Sequence, residues 1–123
     1  MENIATLLSQ LANLDYCYLT TIGRRSGNPH EIEIWFGVQG SLLYLLSGGR
    51  EDSDWVKNLR ANPNVTVRIA KQTFTGVARI VNEDKESTTV RHILARKYQS
   101  WKEGQSLSEW GKTALVVEIE LNS

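Results

Sequence analysis

A mainly β fold of the α+β kind, a six-stranded antiparallel barrel flanked by helices, is what the sequence predicts. Short runs rich in β-branched and aromatic residues recur along the chain, and glycine, proline and asparagine punctuate them at close intervals. The three-and-four spacing of an amphipathic helix is sustained only near the start and past the middle. An open α+β sandwich would use the same elements. Closure into a barrel has the advantage of removing the edges that short strands otherwise leave exposed.

Residues 2–14 carry Ile4, Leu7, Leu8, Leu11 and Leu14 on one helical face, and that stripe needs the following sheet to pack on. Strands are expected at 16–22, 30–38 and 42–46, joined by short turns and therefore paired as an antiparallel meander. Ser47-Gly48-Gly49 opens a second loop, after which Asp52 or Ser53 can cap a short helix bearing Trp55, Val56 and Leu59. That helix ends before Pro63. Val65, Val67 and Ile69 alternate with polar residues in a fourth strand, and residues 73–81 form a fifth, where Gly76 suggests a bulge or bend. Residues 82–101 read as the longest helix, with Val90, Ile93, Leu94, Tyr98 and Trp101 on one face. A short piece with Leu107 and Trp110 precedes the last strand, 114–121, whose Leu115, Val117, Ile119 and Leu121 point inward against Val116, Glu118 and Glu120.

Composition narrows the function classes. The 123 residues fit one domain, 1–123, with a genuine core. Fourteen basic residues balance fourteen acidic ones, so no net field favours nucleic acid or an anionic membrane. One cysteine, Cys17, excludes an internal disulfide, suits a reducing compartment and falls in an apolar strand, where a buried thiol is the expectation. No run approaches the ~20 apolar residues of a membrane span, and the first residues do not resemble a signal peptide. A cytoplasmic protein is therefore expected. His30 and His92 match no metal-ligand spacing with Cys17, and no metal site is expected.

With charge balanced overall, local charge matters, and it gathers in Gly23-Arg24-Arg25-Ser26-Gly27-Asn28-Pro29-His30. Two guanidinium groups, a hydroxyl and glycine backbone can surround a phosphate. A solvated hairpin tip is the plainer reading of the same residues. Glu31, Glu33 and Trp35 share one strand face; paired carboxylates there can do acid–base work or simply face water. Ser47, Gly48 and Gly49 offer backbone donors between a strand and a helix, or a flexible turn. The four tryptophans can line a flat slot, a core or an interface.

Three stretches in order resemble one family. Thr-Thr-Ile-Gly-Arg-Arg-Ser-Gly-Asn-Pro, then Tyr-Leu-Leu-Ser-Gly-Gly, then Asp-Trp-Val-Lys-Asn-Leu-Arg-Ala-Asn-Pro-Asn-Val-Thr-Val look like the deazaflavin-dependent nitroreductases. Those belong to the split β-barrel flavin-binding superfamily that includes pyridoxamine phosphate oxidase. The likeness runs through residues 19–81 and more loosely to the final strand. It implies a split barrel, usually a homodimer, that binds F420 or in some relatives FMN. By that likeness Arg24, Arg25, Ser26, Gly27 and His30 would hold the cofactor's phosphate and acidic tail. Ser47, Gly48 and Gly49 would pass along its ring, and Trp55 and Asn58 would close the pocket. Trp35, Tyr98 and Trp101 would stand near the substrate, with Glu33 or Tyr98, or equally water, as proton donor. Glu31 and Glu33 depart from the hydroxyls and proline of many relatives, and Gly48 from a lysine found in some.

The implied activity is hydride transfer from reduced F420, or FMN, to a quinone, nitroaromatic or other activated double bond. Two other classes stay open: a flavin-binding carrier or sensor without turnover, and an interaction domain whose aromatics serve only a dimer interface.

Overall fold

The computed structural model describes residues 3–122, so Met1, Glu2 and Ser123 lie outside it, including the first position of the expected opening helix. That helix, α1, is Ile4–Leu11, started by Asn3, whose Oδ1 accepts the Thr6 amide at 2.8 Å. Ile4, Leu7 and Leu11 pack against the core around the buried Leu8, as their spacing requires.

Seven antiparallel strands form one curled sheet, a half-barrel flanked by helices. They are β1 Cys17–Ile22, β2 Pro29–Ile34, β3 Gly37–Gln39, β4 Leu42–Ser47, β5 Asn64–Ile69, β6 Gln72–Ile80 and β7 Leu115–Asn122, in the order β2-β1-β5-β6-β7-β4-β3. The expected strand 30–38 is thus two strands, and the meander is two hairpins: β1 with β2 and β3 with β4. The break falls at Trp35-Phe36. The Phe36 amide donates to the Tyr98 hydroxyl at 3.0 Å, and its carbonyl accepts from Tyr98 Oη and Lys97 Nζ, each at 3.0 Å. With both backbone groups satisfied from a helix, Phe36 has none left for a ladder. The two outer strands are therefore joined by two residues, and this short tether holds the sheet's opposite edges near each other. The outermost strand carries Glu31 and Glu33, exposed charges that discourage pairing with a foreign strand.

Between β4 and β5 come a 3₁₀ turn, Arg50–Asp52, and α2, Asp54–Ala61, which buries Val56 and Leu59. Ser53 takes the N-cap position, but its hydroxyl bonds Ser47 Oγ at 2.8 Å instead of capping. α3, Asp84–Gln99, is shorter than the expected 82–101. Glu83 accepts the Lys85 and Glu86 amides at its start, and Ser100 ends it at a positive φ of 54°. α4, Glu109–Thr113, is started by Ser108.

Two expectations about the sheet are corrected. β6 holds an unbroken register past Gly76; a Cβ there would stand 2.8 Å from the Glu120 carbonyl, so the glycine permits close approach of β7 and makes no bulge. In β7, Val116 and Glu118 are buried as well as Val117, Ile119 and Leu121. One face of β7 meets the barrel core and the other a second cluster with Tyr44, Leu46, Val90 and Leu94 beneath α3, so simple alternation of wet and dry fails.

Candidate functional site

The β1–β2 turn and α2 meet at a cleft of about 670 Å³. Its walls include Arg24, Arg25, Ser26 and His30 from the turn and Asp54, Trp55 and Asn58 from α2. Asn58 is the hinge pin between them. It is 5% exposed; its Oδ1 accepts the Arg24 amide at 3.2 Å and Arg24 Nη1 at 2.8 Å, while its Nδ2 donates to Thr21 Oγ1 at 3.2 Å. A buried amide with its acceptor and one donor engaged is rigidly oriented. Arg24 Nη2 also reaches Asp54 Oδ1 at 3.3 Å, and its side chain is 26% exposed.

The turn itself is tightly wound. The Gly23 amide donates to the Asn28 carbonyl at 2.8 Å, and Ser26 Oγ accepts the Asn28 amide at 3.1 Å and lies 3.4 Å from His30 Nε2. A Cβ on Gly23 would fall 2.6 Å from both the Ser26 hydroxyl and His30 Nε2, so only glycine leaves that corner open. Gly27 sits at the exposed tip with φ 72° and does not line the cleft. Among the described residues, Arg25 makes no side-chain hydrogen bond or ion pair, so a guanidinium stands open at the wall.

Ser47, Gly48 and Gly49 are absent from this wall. Ser47 is buried and donates to the Arg50 carbonyl at 3.0 Å, while Gly48 faces Trp110, whose Cδ1 would be 3.5 Å from an added Cβ. The diglycine turn communicates with the cleft through chain continuity into α2 and through Ser47–Ser53. It is also tied to α4, because Arg50 Nε donates to the Thr113 carbonyl at 3.1 Å.

The aromatic residues divide. Trp35 stacks on Tyr98 with centroids 4.3 Å apart and meets Trp110 edge-on at 5.5 Å. Trp101 goes elsewhere: it is 8% exposed, stacks on His92 at 4.2 Å and donates its Nε1–H to the Gln105 carbonyl at 2.9 Å. Trp110 thus takes the place beside Trp35 and Tyr98 that the sequence suggested for Trp101. Burial pushes the Tyr98 hydroxyl up to about 12, and its proton is shared between the Asp15 and Phe36 carbonyls at 2.8 and 3.0 Å. Such a phenol is a clamp on the chain; it has no proton to spare. Glu33 is exposed and accepts from Tyr18 Oη at 3.0 Å; it does not line the cleft, although Glu31 does.

Thr21 and Asp54 are wall residues that the sequence reading did not single out. Asp54 was within reach of it, since it precedes Asn58 by one helical turn and so shares its face. Cys17 is buried, and burial pushes its thiol up to about 12, as expected of an inert core cysteine. Among the described residues no cluster of potential ligands could hold a metal ion, and no helix is long and apolar enough to cross a membrane.

A family model described as F420H(2)-dependent quinone reductase matches residues 1–120. Among solved structures, the chain resembles a conserved hypothetical protein from Mycobacterium tuberculosis, with 22% identity, 100% of this chain and 82% of that one covered, and a TM-score of 0.76. An F420-H2 dependent reductase matches at 19% identity over 87% of this chain and 96% of its own, TM-score 0.68. A structure described as a domain-swapped dimer matches at 21% identity over 94% and 92%, TM-score 0.68. At such identities these structures establish the fold.

Proposed function

The chain belongs to the F420H(2)-dependent quinone reductase family, and from that premise we propose that the cleft between the arginine turn and α2 seats the phosphate-bearing arm of F420 for reduction of a quinone. F420-dependent oxidoreduction is the activity that goes with the family. The observation that carries the assignment of the site is the open guanidinium of Arg25 beside an Arg24 already oriented by Asn58.

The residues present fit such an arm. Arg25 can take phosphoryl oxygens through paired charge-assisted bonds, and Arg24 keeps donor capacity behind it. Gly23 keeps the corner beneath them free of a side chain, while Ser26 and His30 add polar atoms at its rim. Trp55 supplies a flat apolar wall that excludes water. Bound there, reduced F420 would supply the hydride, and solvent would supply the proton that balances it in the hydroquinone. The protein's share is placement: a rigid Thr21–Asn58–Arg24 frame fixes the arm, and holding two reactants in contact makes a bimolecular step effectively unimolecular. Trp35 and Trp110, which stand outside the cleft wall, form with Tyr98 an aromatic group for a planar acceptor, a nitroaromatic included, and a homodimer has its parallel in the similar structure described as a domain-swapped dimer. Nothing in the described cleft favours FMN over F420.

The test is fluorescence titration with oxidised F420, followed by mixing with reduced F420 and menadione. Saturable binding and quinone-dependent oxidation are expected. Absence of binding removes the site assignment; binding without oxidation leaves a carrier.

A further inference from the structure

The reading of Trp35, Tyr98 and Trp110 as the acceptor's place, on which this proposal rests, makes the support beneath each ring matter. Trp35 directly follows β2 and Tyr98 belongs to the long α3, but Trp110 rides on α4, a helix of five residues between a loop and β7. α3 holds the front of α4. Ser108 Oγ donates to Gln99 Oε1 at 2.8 Å, and Arg91 Nη1 donates to the Gly111 carbonyl at 3.0 Å. The last carbonyl of α4, that of Thr113, is held from the other side by Arg50 of the diglycine turn, through Nε at 3.1 Å.

Arg50 holds that position in a strained backbone conformation. Among the described residues three other than glycine have positive φ: Arg50 at 54°, Ala70 at 53° and Ser100 at 54°. Ala70 turns the β5–β6 hairpin and Ser100 ends α3, both ordinary places for such a residue. Arg50 instead follows two glycines, the residues that adopt a positive φ without strain. Those glycines serve another end. A Cβ on Gly49 would run into the Ser53 hydroxyl, and Gly49 itself has φ −78°, while Gly48 leaves room for Trp110. The left-handed position thus falls to an arginine, whose side chain reaches across to α4 and whose carbonyl accepts from Ser47 Oγ at 3.0 Å. Glycine at this position would relieve the strain and lose the reach, so the side chain has a use. We propose that Arg50 is a positioning residue for the acceptor: its bond to the Thr113 carbonyl fixes α4 and so presents Trp110 edge-on to Trp35, 5.5 Å away, before the quinone arrives. The same turn leads into α2, which carries Trp55 and Asn58 of the cleft, so Arg50 links the walls of the two places.

Arg50→Gly removes the bond and the strain together, so the variant should melt near the wild-type temperature. With α4 loosened, Trp110 has to be ordered as the acceptor binds, and ordering one side chain weakens binding by about two- to tenfold. The KM for menadione at saturating reduced F420 should rise by that factor, while kcat and the dissociation constant of F420 stay within about twofold of wild type. In cofactor-free protein, acrylamide quenching of tryptophan emission should increase in Arg50→Gly. That increase should vanish when wild type and variant are compared in a Trp110→Phe background. Should Arg50→Gly fail to fold, Arg50→Asn, which tolerates the left-handed region and is too short to reach Thr113, carries the same expectations. A folded variant with unchanged KM overturns the assignment of Arg50, and so does a raised KM with unchanged quenching, since Arg50 then acts without Trp110. Trp110→Ala separates the two readings: if it raises KM while Arg50→Gly does not, the acceptor's place stands and Arg50 alone falls. If neither raises KM, or if wild type does not oxidise reduced F420 with menadione, the acceptor's place falls and Arg50 with it.

Discussion

Two of the arginine–carboxylate groupings among the described residues are finished to different degrees. Under α3, Arg79 Nη2 donates to Glu118 and to both oxygens of Glu86 at 3.0 Å, and Tyr44 Oη donates to Glu86 at 3.1 Å. Glu118 is 6% exposed, and two carboxylates converge on one nitrogen of a single cation, so no positive charge is left over. At the cleft, two adjacent arginines meet one amide and one exposed carboxylate, which leaves donors over. Surplus donor capacity held in a rigid frame is what a binding site requires, whereas a closed set of partners serves to pin one element on another.

That contrast can be broken most forcefully at Arg79. Arg79→Ala strips the counter-ion from a buried carboxylate and should cost about 3 kcal/mol, read as a lower urea midpoint, with F420 affinity unchanged. Asn58→Ala comes next. It leaves Thr21 and the Arg24 amide without their partner and should cost about 2 kcal/mol, and it should also weaken F420 binding because Arg24 loses its seat. Arg25→Ala sharpens the distinction. Chemical denaturation should place it within about 0.5 kcal/mol of wild type, while the dissociation constant for F420 rises roughly tenfold or more.

The smallest effect concerns pH. Burial raises the Glu118 pKa, so its ionised form costs stability at neutral pH, and that cost is relieved as pH falls through the raised value. Glu86 behaves oppositely: its hydrogen bonds to Glu118 and Arg79 lower its pKa, and its contribution is lost only at more acid pH. In Glu118→Gln the gain on lowering the pH from neutrality should vanish, seen as melting temperatures that no longer rise as the buffer is acidified.

Local pattern carried much of this molecule and failed where distant partners intervene. The barrel strands, α1 and the start of α2 follow from spacing, capping residues and turn residues within a few positions of each other. The interruption at Trp35-Phe36 does not, because its cause is Lys97 and Tyr98, which sit some sixty residues away on α3. Glu118 looked like a solvent-facing residue because alternation assumes one wet face, and α3 covers both Glu118 and Val116. At the cleft, Arg24, Arg25, Ser26, His30, Trp55 and Asn58 come together, while Ser47, Gly48 and Gly49 stand off toward Trp110. Trp101 and Trp110 could not be told apart by hydrophobicity; the turn at Ser100 sends the first toward His92.

The half-barrel's open seam is latched by two neighbouring side chains of α3. Tyr98 stitches the carbonyls of Asp15 and Phe36 and the amide of Phe36, and Lys97 adds one bond to the Phe36 carbonyl, so among the described residues no row of ladder bonds shares the strain across that line. Amide protons flanking the seam should therefore exchange with solvent sooner than those of β5, β6 and β7, and a pull on the sheet should unzip it there first.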